Sequence, residues 1–223
     1  GVMFERCSLS RVSGCDISGA TIPRVGYASG IFIVESNGVT IDGCRLHGNG
    51  GDALQAADIQ CDGLGKLSRD VRIENNDCLS TDAAINVRCY DLSDALIRGN
   101  RVSGARIIGA QNNGYGILIY ETASNPGSCS ENTVSGNTVS HTEGSGIYLA
   151  KSNRPRVLEN VIQDVATVQN DATLPVAAIA LNQSQFTSVV DNKISRVGRA
   201  GISVASDREG VGHVEVRQNM IAS

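Results

Sequence analysis

No tryptophan occurs in this sequence, and aromatic residues make up only 4% of it. A core built from large rings is thereby excluded, and aliphatic and small side chains have to fill it. Proline occurs only 4 times, so the chain is not a proline-rich linker or an extended recognition segment. No basic run occurs, basic and aromatic residues are not interleaved, and the net charge is −4. Nucleic acid is therefore not the expected partner. No apolar run approaches the roughly 18 residues that a membrane-spanning helix requires, so no span is expected. No signal peptide opens the chain, which begins directly on patterned sequence, "GVMFERCSLS", as a mature or excised piece would. The 7 cysteines are odd in number and include no CxxC pair. That is a poor disulfide framework and a poor zinc site, so packed free thiols are expected.

What is present is glycine, 25 residues of it, with Asn, Ser and small β-branched residues in a repeating order. Gly1–Cys15, "GVMFERCSLSRVSGC", aligns without a gap on Gly30–Cys44, "GIFIVESNGVTIDGC", at a period of 29. The unit recurs through the chain, with a small residue opening each copy: Gly1, Gly30, Ala53, Ala84, Gly116, Gly146, Ala178, Gly201. A short alternating strand follows each one: "VMF", "IFI", "LQA", "INV", "ILI", "IYL", "IAL", "ISV". Its two apolar residues are read as inward and the one between them as outward. A second signature recurs further along, from "VSGCDI" and "IDGCRL" to "VVDNKI" and "VRQNMI". Its central column is Cys15, Cys44, Asn76, Asn100, Asn137, Asn160, Asn192, Asn219.

Eight copies, 23 to 32 residues apart, span essentially the whole chain, 1–223, as one domain. Each copy holds about three strand patterns and no helical periodicity, which excludes helical solenoids, and a propeller blade would need ~40 residues per repeat. The expectation is an all-β parallel coil with three short strands per turn, roughly 38 Å long at ~4.8 Å per coil. The asparagine column should line a sharp bend, where Asn tolerates left-handed backbone and its amide bridges adjacent coils.

On these repeats the sequence resembles the right-handed parallel β-helix of the pectate-lyase-like superfamily, which includes polysaccharide lyases, polygalacturonases, mannuronan epimerases and phage tailspikes. The resemblance implies a polysaccharide partner, bound on the outer face of the first strand between flanking loops. It also implies an extracellular, cell-surface or virion-associated location. The alternation reads that face as Met3 and Glu5, Phe32 and Val34, Gln55 and Ala57, Asn86 and Arg88, Leu118 and Tyr120, Tyr148 and Ala150, then Asn182 and Ser203. The next residue along adds Glu35, Asp58, Glu121, Lys151 and Gln183.

The middle of the face is polar and aromatic, which suits sugar rings and uronate carboxylates. Asp82 and Asp52, each in a loop entering a coil, are the candidate acid and base, with Arg88 beside them. Gln55, Asn86, Tyr120, Glu121, Tyr148 and Lys151 are the candidate substrate-binding residues. No cofactor and no metal site are expected; a calcium ion, were one bound, would use the oxygens of Asp52, Asp82 and Asn86. The motifs of polygalacturonases, mannuronan epimerases and pectate lyases are absent: Tyr115–Gly116 is followed by "ILIYE", without the acid and histidine of the epimerase motif.

Two functions therefore stand: a lyase or glycosidase acting on a polysaccharide, or a non-catalytic glycan-binding or stalk segment of a surface or virion fibre. Neither end of the chain reads as a cap, so flanking sequence or a homo-oligomer such as a trimer is expected to cover the coil ends. Cys15 and Cys44 should fill the bend as unbonded neighbours, with His47 facing solvent.

Overall fold

The computed structural model describes residues 1–21, 28–50, 56–62, 67–81, 83–108, 114–168, 176–205 and 212–222. The chain forms a right-handed parallel β-helix. Three sheets of 8 parallel strands run along it, and each coil contributes one strand to each. The first sheet stacks Val2–Glu5, Ser29–Val34, Ala57–Asp62, Ile85–Tyr90, Tyr115–Tyr120, Ile147–Ala150, Ala177–Asn182 and Ala200–Ala205 in that order. The second runs from Arg11–Ser13 to Val214–Arg217, and the third from Asp16–Ser18 to Met220–Ala222. A two-stranded piece, Ser68–Arg69 with Leu92–Ser93, precedes the second sheet at the third and fourth coils.

Inward residues of consecutive coils stand in register and form one continuous core. In the first sheet Ile31, Ile59, Val87, Ile117, Ile147 and Ile179 stack, with Ile33, Cys61, Cys89, Ile119, Leu149 and Leu181 beside them. These strands are short, β-branched and buried on their inner side, as parallel strands require. Oppositely charged side chains pair between adjacent coils on the outside: Arg11 with Asp42 at 2.7 Å, Arg98 with Glu74 at 2.7 Å, and Arg196 with Asp164 at 2.7 Å. Such exposed pairs contribute little each.

The bend between the second and third sheets holds the asparagine column. Asn76 Oδ1 accepts the Cys44 backbone N–H, and from Asn100 onward each carboxamide oxygen accepts two N–H groups from the preceding coil. The Asn137 Oδ1 takes the Asn100 backbone N–H at 2.9 Å and its Nδ2 at 3.0 Å. Each amide nitrogen also donates to a backbone carbonyl of the preceding coil, as Asn137 Nδ2 does to Ile97 at 3.0 Å. The left-handed backbone expected at the column lies one residue earlier, at Gly14, Gly43, Asn75, Gly99, Gly136, Glu159, Asp191 and Gln218. The column residue is thus selected for its two-sided hydrogen bonding, and its predecessor for positive φ.

The first sheet departs from the sequence reading at two coils. The third coil's strand is Ala57–Asp62, immediately after "LQA", and its inward positions are filled by Ile59 and Cys61, five residues beyond the expected Leu54 and Ala56. In the fourth coil the inward pair is Val87 and Cys89, and Ile85 packs on the outer face. The residue just before each inward pair also turns into the interior. A Cβ at Gly116 would lie 2.6 Å from Val139 Cγ1, and one at Gly146 would lie 2.7 Å from Ile162 Cγ2, so this corner accepts only the smallest side chains there. Asp58 and Asn86 occupy the same corner in the third and fourth coils, fully buried. Asp58 and Asn86, expected on the outer face, are interior residues.

Candidate functional site

The outer face of the first sheet carries Phe32, Gln60, Arg88, Leu118, Tyr148 and Ala180 in one row across consecutive coils. Val34, Asp62, Tyr90, Tyr120, Ala150 and Asn182 form the next. Arg88, 5% exposed, lays its guanidinium over the Tyr90 ring, 4.4 Å from the centroid, and donates from Nη2 to the Tyr90 hydroxyl at 2.8 Å. Tyr90 meets Tyr120 edge to face at 5.6 Å. Lys151 Nζ stands 5.8 Å from the Tyr120 ring centroid. Lys151 sits at the corner after the strand with φ of 54°, which turns the chain sharply beside Tyr120. Across coils four to six, two half-buried phenol rings are therefore flanked by two cations. An arrangement of rings and cations offers stacking faces and charge to a flat anionic ligand.

Tyr148 is placed on this face as expected, but it is only 2% exposed. It stacks on Tyr115, centroids 4.9 Å apart at 13°, and its hydroxyl accepts from Asn182 Nδ2 at 3.1 Å. Burial pushes both phenols above their ordinary pKa, so neither is a neutral-pH base. Tyr148 is a packing residue rather than an open sugar platform. Glu121 is likewise occupied: its carboxylate accepts the Gly127 backbone N–H at 2.7 Å. The preceding-coil neighbour Asp91 accepts from the Thr122 backbone N–H at 2.8 Å, Thr122 Oγ1 at 2.6 Å, Asn125 Nδ2 at 2.9 Å and Ser128 Oγ at 2.8 Å. Two carboxylates thus fold the segment "ETASNPGSCS" into an ordered wall beside the tyrosine row.

Beneath the face, in the interior, Asp58 accepts from Asn49 Nδ2 at 3.1 Å, the Ser80 backbone N–H at 3.1 Å, the Ser80 hydroxyl and Asn86 Nδ2 at 3.2 Å. Asn86 Nδ2 also donates to the Ser80 carbonyl at 3.1 Å. Asn86 therefore belongs to a buried polar cluster, to which its amide nitrogen donates. Asp52, Gln55 and Asp82 lie outside the described residues. The sequence reading missed Tyr90, Tyr115, Gln60 and Asp62; extending the strict alternation of "INVRCY" and "ADIQCD" by one pair would have found Tyr90 and Asp62. A shallow depression of about 230 Å³ on the second sheet is lined by Arg156, Glu159, Ser188, Asp191, Glu215 and Arg217, and within it Arg217 pairs with Glu215 at 2.8 Å.

Coils of three strands, three parallel sheets and an internal asparagine column define a right-handed parallel β-helix. Within it, the family model for NosD, described as periplasmic copper-binding protein, matches residues 1–174 and again 111–223, and the chain belongs to that family. No curated protein sequence matches the chain. Among solved structures it is similar to the periplasmic alginate epimerase AlgG, with a TM-score of 0.59 and 12% identity over 88% of this chain and 49% of that one. It is also similar to the A-module of the mannuronan C-5 epimerase AlgE4 of Azotobacter vinelandii, with a TM-score of 0.55 and 16% identity over 96% of this chain and 55% of that one. The chain spans about half the length of these two structures. At such identity the likeness is one of fold. No helix among the described residues is long and apolar enough to cross a membrane.

The family description raises copper, and the soft donors of this chain all fall within the described residues. His47 lies in the second coil, His141 in the fifth and His213 ahead of the last strand of the second sheet; Met3 and Met220 lie in the first and last coils. No group of three or more His, Cys, Asp or Glu gathers among the described residues. His47 Nε2 is instead 2.8 Å from Asp16 Oδ1 on the partly exposed third sheet. A copper centre of three or four donors does not fit; the soft donors that adjoin are stacked thiols, all seven cysteines being free.

Proposed function

We propose that the chain binds an acidic polysaccharide along the outer face of the first sheet at coils three to six and modifies it by lyase or hydrolase chemistry. The observation that carries this reading is the row Arg88–Tyr90–Tyr120–Lys151, in which two rings and two cations line up across three coils. Tyr120 and Lys151 would receive sugar rings and uronate carboxylates, and Arg88 would neutralise charge from below. Asp82 and Asp52 are the proposed acid and base, and the acidic-glycan substrates of the two epimerases agree with this choice. A periplasmic or extracellular location belongs to the same proposal, in line with the family description and the periplasmic AlgG.

The test is a panel of uronate-containing and neutral polymers, assayed for binding by calorimetry and for turnover by unsaturated-uronate absorbance and reducing ends. Binding to an acidic polymer is expected, weakened at least tenfold by Tyr120→Ala and by Lys151→Ala with unchanged melting. Turnover should vanish in Asp82→Ala while binding persists. No binding to any acidic polymer would overturn the reading. Binding without turnover would favour the non-catalytic glycan-binding segment instead.

A further inference from the structure

The accessible part of the first sheet's outer face is a narrow strip, and its charges have an order. The row nearer the strand starts is closed: Gln60, Arg88, Leu118, Tyr148 and Ala180 are at most 5% exposed. Half-buried residues follow the strand ends instead, with Tyr90, Tyr120 and Asn182 on the face and Glu121, Lys151 and Gln183 at the corner. The corner stacks one residue per coil: the Asp91 N–H donates to the Tyr120 carbonyl, that of Glu121 to Ala150, that of Lys151 to Asn182 and that of Gln183 to Ala205. Over the described residues of this strip, coil four carries one charge of each sign, Arg88 beneath Tyr90 and Asp91 at the corner. Coil five carries Glu121, coil six carries Lys151, and coil seven carries the neutral Asn182 and Gln183. Lys151 has no ion-pair partner among the described residues.

We propose that this strip selects a polysaccharide whose acidic sugars are separated by neutral ones, rather than an unbroken polyuronate. The inference rests on the glycan-binding reading above and names the substrate class within it. Coils stack at ~4.8 Å, close to the advance of one sugar along an extended chain, so a polymer laid along the strip sets about one sugar against each coil. A carboxylate at coil six meets the Lys151 ammonium. A carboxylate at coil five meets the Glu121 carboxylate, which the Gly127 N–H holds in place at 2.7 Å. At coil four the attraction of Arg88 is offset by Asp91, whose carboxyl is held below its ordinary pKa by Thr122, Asn125 and Ser128 and stays ionised. Neutral sugars suit the flanks. Tyr120 offers a ring face, and Asn182 donates from Nδ2 to the Tyr148 hydroxyl at 3.1 Å while its Oδ1 remains to accept from a sugar hydroxyl. Glu121 is therefore the selective element, because a site discriminates by what it repels as well as by what it attracts.

The probes are polygalacturonate, alginate and the half carboxyl-reduced form of each, which separates the acidic sugars without changing the linkage. Their affinities are compared by calorimetry at one ionic strength. A half-reduced polymer should bind at least about fivefold tighter than its fully charged parent, the effect of one close like-charge pair in water. Glu121→Gln keeps an acceptor for the Gly127 N–H and should melt with the wild type; it should close that gap by strengthening the parent. A smaller or reversed gap in the wild type, or a gap that survives Glu121→Gln in full, overturns the proposal and leaves the glycan-binding reading standing. Failure of all four polymers to bind overturns both.

Discussion

Asp58 shows how one side chain can reset its surroundings. A carboxylate occupies a corner that other coils give to Gly30, Gly116, Gly146 or Ala178, and Asn49, Ser80 and Asn86 turn inward to meet it. The accommodation extends to the preceding coil, because a Cβ on Gly30 would lie 2.8 Å from Asn49 Nδ2. Burial pushes the Asp58 carboxyl up to about 6, against the hydrogen bonds of Ser80, Asn49 and Asn86, which act to lower it. A folded-state pKa above the unfolded one means that the stabilising protonated form is fully present below about pH 4 and lost as pH rises through about 6. The shift corresponds to ~3 kcal/mol. Chemical denaturation of wild type and Asp58→Asn should therefore show the variant gaining on the wild type by ~3 kcal/mol between pH 4 and 7.5. A pH-independent difference would mean that Asp58 keeps an ordinary pKa.

Asp91 behaves in the opposite way. Burial alone would raise its pKa, but the donors of Thr122, Asn125 and Ser128 outweigh it and hold the carboxyl below its ordinary value. Its contribution is present above the ordinary carboxylate range and fades as pH falls through the depressed pKa. Asp91→Ala should release the segment from Thr122 to Ser130, seen as faster proteolytic cleavage there at pH 7 with little change at the far coils.

At the level of the coil, the repeat was legible to the residue. Every member of the asparagine column, with the apolar residue three before it and the one two after it, stands where the alignment of copies puts it, because a bend that must satisfy its own backbone tolerates few residue types. The first sheet was less legible. Its corner residue turns inward and interrupts the period-two alternation, so Ile85 and Asn86 exchange faces, and Ala53 imitates the small residue that opens other copies. Of the candidate site, Arg88, Tyr120 and Lys151 were placed together, whereas packing claims Tyr148 and loop amides claim Glu121.

The same coil-level logic sets two expectations. Asn137→Ala leaves the Asn100 N–H and the Ile97 carbonyl buried without their partner, and should lower stability by ~3–5 kcal/mol in urea denaturation. Glu159, left-handed at φ of 57° where four other coils place glycine, should become more favourable by ~0.5–1 kcal/mol as Glu159→Gly.

Over the whole rod, each coil contacts only its neighbours, so stability is a sum of coil terms and coil–coil interfaces. The apolar interior is continuous through the middle coils, where Leu149, Val157 and Ile162 are fully buried. Along the same columns in the last described coil, Val204, Val216 and Ile221 are 44%, 47% and 56% exposed. A coil supported on one side should open without the rest, whereas opening the middle requires breaking two interfaces. Native-state hydrogen exchange of the 223-residue chain should therefore be graded. Amides of Tyr115–Tyr120 and Ile147–Ala150 should exchange near the global limit, and those of Ala200–Ala205 and Met220–Ala222 at least ~100-fold faster, an opening easier by about 3 kcal/mol. Uniform protection from the first coil to the last would mean that the rod unfolds as one cooperative unit and that the end coils gain their stability from something other than stacking.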